Sequence, residues 1–153
     1  EISAEASGND SRRYRFDILE VPVTCYNARG PRGGLRQFDM AATSVSEAIW
    51  LFESMYAAGA RTVCAITHSF RLLHTTNKQY TDARLDRVNL YRLQSCFRYL
   101  AQHPDRFRVE GYRSLDGSDW EDPSPAQDVF PRPPMWASGI RLTVQGVKDR
   151  NAV

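Results

Sequence analysis

The sequence has few cysteines, and they are not arranged to build a metal site or a disulfide framework. Cys25, Cys64 and Cys96 lie far apart and form no C-x-x-C pair. Neither a structural zinc site nor a small disulfide-stabilised fold is therefore indicated. Each cysteine lies among apolar neighbours, so we expect small buried hydrophobic side chains. This usage favours a reducing cytoplasm over an oxidising compartment.

Long apolar runs are also absent, and lysine is scarce. No stretch of eighteen or more apolar residues occurs, so the sequence predicts no membrane span. The 20 basic residues are 18 Arg and 2 Lys against 18 acidic residues, and the formal net charge is +2. So balanced a charge, without a basic stripe interleaved with aromatic residues, argues against a nucleic acid partner. Gly33 and Gly34 are not followed by the Lys-Ser/Thr of a phosphate-binding loop, which leaves nucleotide binding unsupported.

What is present is the composition of an ordinary folded domain. Of the 153 residues, 42% are hydrophobic and 25% are charged, which suits one domain with one core. The chain does not begin with Met, and Glu1–Asp10 lacks the pattern of a signal peptide. We therefore expect a processed product or a piece of a longer protein. Residues 1–13 are polar and predict a flexible lead-in to a domain over residues 14–115.

Strand and helix signals alternate in this domain, and the first of them is a strand. Tyr14–Cys25 is rich in apolar, partly β-branched residues and predicts a strand. Asn27–Gly34 contains three glycines and a proline and predicts a loop. Ser44 and Glu47 match a capping box, in which each side chain satisfies a free backbone donor of the other. A helical apolar spacing follows and ends at Gly59, so the sequence predicts a helix here.

The second half of the domain repeats the alternation. Thr62–Thr67 is nearly all apolar, which is typical of a strand buried in a parallel sheet. A second helix is predicted to open at Thr81 or Asp82 and to end before Pro104. Its predicted apolar stripe is Leu85, Val88, Leu93, Phe97 and Leu100.

A further short strand is predicted over Phe107–Tyr112. The order of strand, helix, strand, helix and strand predicts an α/β fold with parallel strands. Residues 116–153 differ in character, since Asp116–Pro134 holds five prolines and predicts a Pro-rich extended tail on the surface. The pattern of Arg141–Val147 is too short to decide between a strand and a helix.

His68 is the first candidate for a chemical role. It follows the predicted strand Thr62–Thr67, at the sheet edge where ligands of parallel α/β proteins bind. A histidine there can donate or accept a proton near neutral pH, although it can also simply cap the strand end. Ser69 is adjacent but points the other way along an extended chain, so a serine–histidine nucleophile pair is not expected. Glu20 lies near the end of the first strand and can reach the same edge, or can be a structural carboxylate.

Three segments resemble one branch of the polysaccharide deacetylase family. They are Leu19–Thr24, which reads L-E-V-P-V-T, then Thr67–Phe70, which reads T-H-S-F, and the helix–strand unit Cys96–Val109. Their order matches an E-V-P-V-T … H-S-F pattern of that branch, and the likeness covers residues 14–115. The resemblance implies the C-terminal part of a distorted or incomplete (β/α) barrel.

The resemblance also implies a reaction. Family members use a divalent metal such as zinc to remove acetyl groups from N-acetylated polysaccharides or oligosaccharides. By the resemblance, His68 is the general acid. Glu20 and Ser69, which lie in the matching segments, are predicted as substrate-binding residues. The Asp-Asp and H-x-x-x-H motifs that bind the metal are absent from this sequence. The metal is thus expected only in a full-length enzyme that includes an upstream half of the domain, and this chain alone is expected to be inactive.

Two alternatives remain open at the level of the sequence. One is a non-catalytic relative that binds glycans through aromatic side chains, with Trp50, Tyr80, Trp120 and Trp136 as candidates. Of these, we expect Trp50 to face the core or a neighbouring layer, and Trp120 and Trp136 to be exposed beside the Pro-rich tail. The other is an interaction module in which Asp122–Pro134 docks on a partner as an extended helix. Turnover of an N-acetylated oligosaccharide separates the enzyme from both alternatives.

Overall fold

The computed structural model describes residues 12–13, 19–29, 33–111, 130–139 and 143. In this part of the chain the fold is mixed α/β, with small sheets and no closed barrel. In chain order, the elements are β1 (Arg12–Arg13), β2 (Leu19–Glu20), β3 (Cys25–Ala28), β4 (Gly34–Gln37), α1 (Val45–Ala57), a 3-10 turn (Ser69–Leu72), β5 (Leu73–His74), β6 (Arg84–Leu85) and α2 (Arg87–Ala101). Among the described residues, no helix is long and apolar enough to cross a membrane.

The strands form three antiparallel pairs, β1 with β2, β3 with β4 and β5 with β6. The single continuous strand predicted over Tyr14–Cys25 is therefore wrong within the described residues, because β2 ends at Glu20 and β3 begins only at Cys25. The loop predicted over Asn27–Gly34 is also shorter than expected. Asn27 and Ala28 belong to β3, and Ala28 pairs with Gly34 of β4. Gly34 has φ +137, a conformation open to glycine, so the hairpin begins its return strand there.

The structure confirms the helix predicted between Ser44 and Gly59, which is α1. The hydroxyl of Ser44 accepts a hydrogen bond from the backbone N–H of Glu47 at 3.3 Å, as an N-cap does. In the second half of the expected capping box, the Glu47 carboxylate was predicted to bind the backbone N–H of Ser44, but it binds the Ser44 hydroxyl. The carboxylate of Glu47 accepts from the Ser44 hydroxyl at 3.1 Å, and both residues are buried. At the other end, Gly59 follows the helix with φ +74, which suits a C-terminal stop.

Helix α2 starts later than predicted. Its N-cap is Asp86, whose carboxylate accepts from Asn89 N at 3.0 Å. Thr81 and Asp82 belong instead to the connection between β5 and β6, where the Asp82 carboxylate accepts from the side chains of Thr75 and Thr76. The buried face also differs from the predicted stripe, since Leu85, Val88 and Phe97 are exposed. The face that α2 buries consists of Asn89, Arg92, Cys96 and Leu100.

The segment predicted as a buried parallel strand, Thr62–Thr67, is extended but only half-buried up to Ile66. It lies between two other stretches of backbone. Cys64 exchanges hydrogen bonds with Thr24 through its O at 2.9 Å and its N–H at 3.0 Å. On the other side, Ile66 forms an isolated parallel bridge with Asp39. In the described part of the chain, the parallel arrangement is thus present as a single bridge, and the partial barrel with parallel strands remains a prediction.

The strand predicted over Phe107–Tyr112 is absent from residues 107–111, and Tyr112 lies outside the described residues. The backbone N–H of Phe107 donates to His103 O at 3.0 Å, which closes a turn after α2. The Phe107 ring then packs against Phe52 and Tyr56 of α1, at centroid distances of 6.0 and 5.8 Å. Side-chain packing on α1 therefore fixes this segment, without a described sheet partner.

The core lies between the β3–β4 hairpin and the two helices. Its largest fully buried apolar side chains include Phe38, Leu51 and Met55, with Cys96 contributed by α2. Phe38 meets Phe52 edge to face at 5.3 Å, a favoured aromatic geometry. Trp50 is partly buried and packs against this cluster, which confirms that it faces the core. Cys96 is fully buried, as expected, whereas Cys25 and Cys64 are half-buried.

Residues 130–139 pack on this core. Asn27 donates its backbone N–H to Pro131 O and its side-chain amide to Phe130 O. Pro133 and the following Ala137 are buried. The expectation of an extended surface tail with few core contacts is therefore wrong for residues 130–139, and residues 116–129 lie outside the described part. Much of Asp122–Pro134 and nearly all of Arg141–Val147 also fall outside it.

Candidate functional site

The site is built around His68, which is exposed directly after the extended segment. The backbone of His68 caps the 3-10 turn, and its carbonyl accepts from Arg71 N at 2.9 Å. This turn folds the chain back so that the imidazole stacks on Phe70, with centroids 4.9 Å apart and planes inclined by 11°. Phe70 is itself 49% exposed. The two rings form one exposed stack at the carboxyl end of the segment.

Asp39 is brought to this turn by the parallel bridge with Ile66. Its carboxylate oxygen Oδ1 accepts from the backbone N–H groups of Ala41 at 3.0 Å and Ala42 at 3.3 Å. Its other oxygen, Oδ2, lies 3.3 Å from Nε of Arg71. The Asp39 side chain is 11% exposed and that of Arg71 is 49% exposed. The Asp39 carboxylate is therefore held in place, and the side chain of Arg71 extends from its contact with Asp39 into solvent.

Two buried polar residues of α2 hold the 3-10 turn and the neighbouring loop in place through hydrogen bonds. Asn89 donates its side-chain amide to Arg71 O at 2.7 Å. Arg92 donates to the Asn89 side-chain oxygen at 3.2 Å and to Ala41 O at 3.4 Å. These bonds tie α2 to both halves of the site, the 3-10 turn and the loop that follows Asp39. Their satisfied polar atoms explain how α2 can bury an asparagine and an arginine.

The sequence reasoning missed Asp39, Arg71, Asn89 and Arg92. Asn89 and Arg92 are three residues apart, and with Cys96 and Leu100 they continue one helical face. That spacing was a usable signal, but the competing apolar stripe of α2 hid it. No local signal pointed to Asp39 and Arg71, because their contact depends on the pairing of two distant segments.

Of the other predicted site residues, Ser69 begins the 3-10 turn and is exposed. Glu20 is in β2, and its side chain lies outside the described part of the structure. The roles of His68, Glu20 and Ser69 therefore stay predictions. His103 makes a structural contact, since its Nδ1 lies 2.7 Å from Tyr99 O at the end of α2. His74 is exposed in β5.

A separate cavity of about 550 Å³ lies between the two helices and residues 60–65 and 106–111. Its walls are mainly apolar and include Phe52 and Tyr56 of α1 and Phe97 of α2. Neither His68 nor Arg71 lines it. The candidate site is therefore an exposed surface, distinct from this cavity.

The described residues do not fit the divalent metal that the family resemblance implies. Within residues 12–13, 19–29, 33–111, 130–139 and 143, no group of three or more His, Cys, Asp or Glu side chains could hold a metal ion. Asp39 already uses both oxygens, on two backbone N–H groups and Arg71. A metal site would therefore need at least one ligand from outside these residues.

Comparison of the chain with protein-family models, with curated proteins and with solved structures gave no match.

Proposed function

We propose that the chain is the C-terminal segment of a carbohydrate deacetylase, in which His68 is the general acid. The observation that supports this role is the position of the imidazole. It is exposed at the carboxyl end of a segment that pairs in parallel with Asp39, and it leans on the ring of Phe70. In parallel α/β architectures this edge is where substrates bind. A substrate can reach the ring without any rearrangement of the core.

The reaction is hydrolysis of an N-acetyl amide on a sugar. Water forms the new C–O bond and gives up a proton to a base in the upstream half of the enzyme, the C–N bond breaks, and the departing amine takes a proton. His68 supplies that proton as a general acid, and the products are acetate and the free amino sugar. The stack with Phe70 holds the imidazole plane in one orientation, which favours a defined direction of transfer. The metal-binding half of the enzyme is proposed to lie upstream of this chain.

The test is His68→Ala in the full-length protein, with acetate release from an N-acetylated chitotetraose as the assay. Loss of one general acid lowers turnover by about 10²–10⁴-fold. The thermal midpoint is expected to stay within about 2 °C, because an exposed side chain contributes little buried area. His74→Ala is the matched control, since His74 is also an exposed histidine. Near-normal turnover of His68→Ala removes the proposed catalytic role, and a collapsed midpoint marks His68 as structural.

A non-catalytic glycan-binding role is the second candidate, and Trp136 favours it. Its side chain is 68% exposed, although the next residue, Ala137, is buried. The carbonyl of Ala137 accepts from the Ser46 hydroxyl at 2.8 Å, and the Ser44 hydroxyl lies 3.1 Å from it. An exposed aromatic ring on a firmly held backbone suits stacking on a sugar. Binding of chitotetraose by the full-length protein without acetate release, weakened by Trp136→Ala, supports this candidate over the enzyme.

A further inference from the structure

The guanidinium of Arg71 is fixed on one side and open on the other. Nε lies 3.3 Å from Asp39 Oδ2, and this is the side that faces the protein. Among the residues that the structure describes, no hydrogen bond or ion pair engages the two terminal nitrogens, and the side chain is 49% exposed. The pair of N–H groups at the open end of a guanidinium matches the two oxygens of a carboxylate.

The backbone of Arg71 is held as firmly as its side chain. Its N–H donates to His68 O at 2.9 Å, and its carbonyl accepts from the Asn89 amide at 2.7 Å. The guanidinium also lies 5.9 Å from the centroid of the Phe70 ring. A long side chain normally loses rotamer freedom when it binds a ligand. The ion pair with Asp39 and the contact with the Phe70 ring already restrict the rotamers of Arg71. The open end of Arg71 is therefore pre-organised for an anion.

The neighbouring acids leave this position available. Asp39 is occupied by two backbone N–H groups and by Nε of Arg71, and Asp86 caps α2 through Asn89 N. Arg71 and His68 belong to the same turn, so an anion bound by Arg71 is placed next to the proposed general acid. Exposed aromatic and imidazole faces lie beside it, as a sugar ring requires.

We propose that Arg71 binds the carboxylate of an acidic glycan, so that the substrate class is an N-acetylated polysaccharide containing uronic acid. This inference rests on the proposed function, since it assigns the substrate of the same site. The carboxylate bridges the terminal nitrogens of Arg71. The adjacent N-acetylated sugar then lies over the stack of His68 and Phe70.

The test measures binding of two tetrasaccharides to the 153-residue chain by isothermal titration calorimetry at low salt. One is a hyaluronan tetrasaccharide, which alternates uronic acid with N-acetylglucosamine, and the other is the neutral chitotetraose. A charge-assisted bidentate contact is expected to favour the acidic glycan by about tenfold or more. Arg71→Gln keeps a donor for Asp39 and removes the charge, so the preference is lost. Arg71→Lys keeps the charge without the fork and is expected to retain part of it.

The matched control is Arg98→Ala, because Arg98 is an exposed arginine elsewhere on α2. It is expected to keep the full preference for the acidic glycan. Equal binding of both glycans, no binding of the acidic glycan, or a preference that survives Arg71→Gln in a folded chain overturns the inference. Failure of the proposed function is read separately, from acetate release by the full-length protein. An enzyme that turns over neutral chitotetraose without any acidic preference keeps its function and loses only this assignment.

Discussion

Replacing Ser44 with alanine is expected to destabilise the protein more than an ordinary N-cap substitution does. The Ser44 hydroxyl accepts from Glu47 N at 3.3 Å, which is the capping bond of α1. Its single proton also has two buried acceptors, Glu47 Oε2 and Ala137 O, each 3.1 Å away. Ser44 therefore joins the start of α1 to a segment that lies 93 residues further along the chain.

The magnitude follows from these bonds. Loss of an N-cap costs about 1 kcal/mol, and loss of one donated hydrogen bond at a buried site costs about 1–2 kcal/mol more. The expected total is about 2–3 kcal/mol, because one hydroxyl proton serves only one acceptor at a time. For a chain of this length, such a loss lowers the thermal midpoint by about 4–12 °C.

Asp86→Ala is the matched control, because Asp86 is the N-cap of α2 and accepts from Asn89 N at 3.0 Å. Its loss is expected to cost about 1 kcal/mol. Urea denaturation followed by far-ultraviolet circular dichroism measures both variants against the parent chain. Equal losses in the two variants, or a loss below 1 kcal/mol for Ser44→Ala, would refute the reasoning.

The remaining predictions concern titration. Burial raises the pKa of the Cys96 thiol to about 11, so a thiol reagent at pH 8 is expected to label Cys25 and Cys64 well before Cys96, with all three reacting after denaturation. Equal labelling rates in the native chain would contradict this. Burial, and then the hydrogen bond that Tyr99 donates to the Glu53 carboxylate, raise the pKa of Tyr99 above its ordinary value of 10.0. The neutral phenol is thus favoured in the folded chain, so its contribution to stability is complete below pH 10 and is lost as pH rises through the folded pKa. Ultraviolet difference titration is expected to show a lower Tyr99 pKa in Glu53→Gln, and an unchanged value would contradict this cause.

Features decided within a few residues could be predicted from the sequence. The Ser44 cap, the body of α1 and the stop at Gly59 depend on contacts inside single turns, and the structure has all three. The start of α2 shows the limit of this reasoning. The sequence predicted a start at Thr81 or Asp82, but Thr75 and Thr76 bind the Asp82 carboxylate in the β5–β6 connection. The helix is capped instead by Asp86.

Only part of the candidate site could likewise be predicted from the sequence. The sequence pointed to His68 from its place after an apolar segment, and the structure exposes the ring at that point. Asp39 and Arg71 gave no such signal, because their contact depends on the pairing of two segments that are distant in the sequence. Residues 130–139 were misjudged for a related reason. The prolines at 131, 133 and 134 exclude a helix and an inner strand over residues 130–134 only, and residues 135–139 are helical. A proline carbonyl also remains a good acceptor, and Pro131 O accepts from Asn27 N at 3.0 Å.

The sequence by itself determined α1, its Ser44 cap and its stop at Gly59, because capping, helical spacing and turn chemistry act over one or two turns of chain. The tertiary structure decided which polar residues meet. Asp39 reaches Arg71 only because Ile66 pairs with Asp39, and Ser44 reaches Ala137 only because the segment after Pro131 docks on β3. Burial and hydrogen bonding between distant segments are settled by the packing of the whole chain, and no local pattern encodes them.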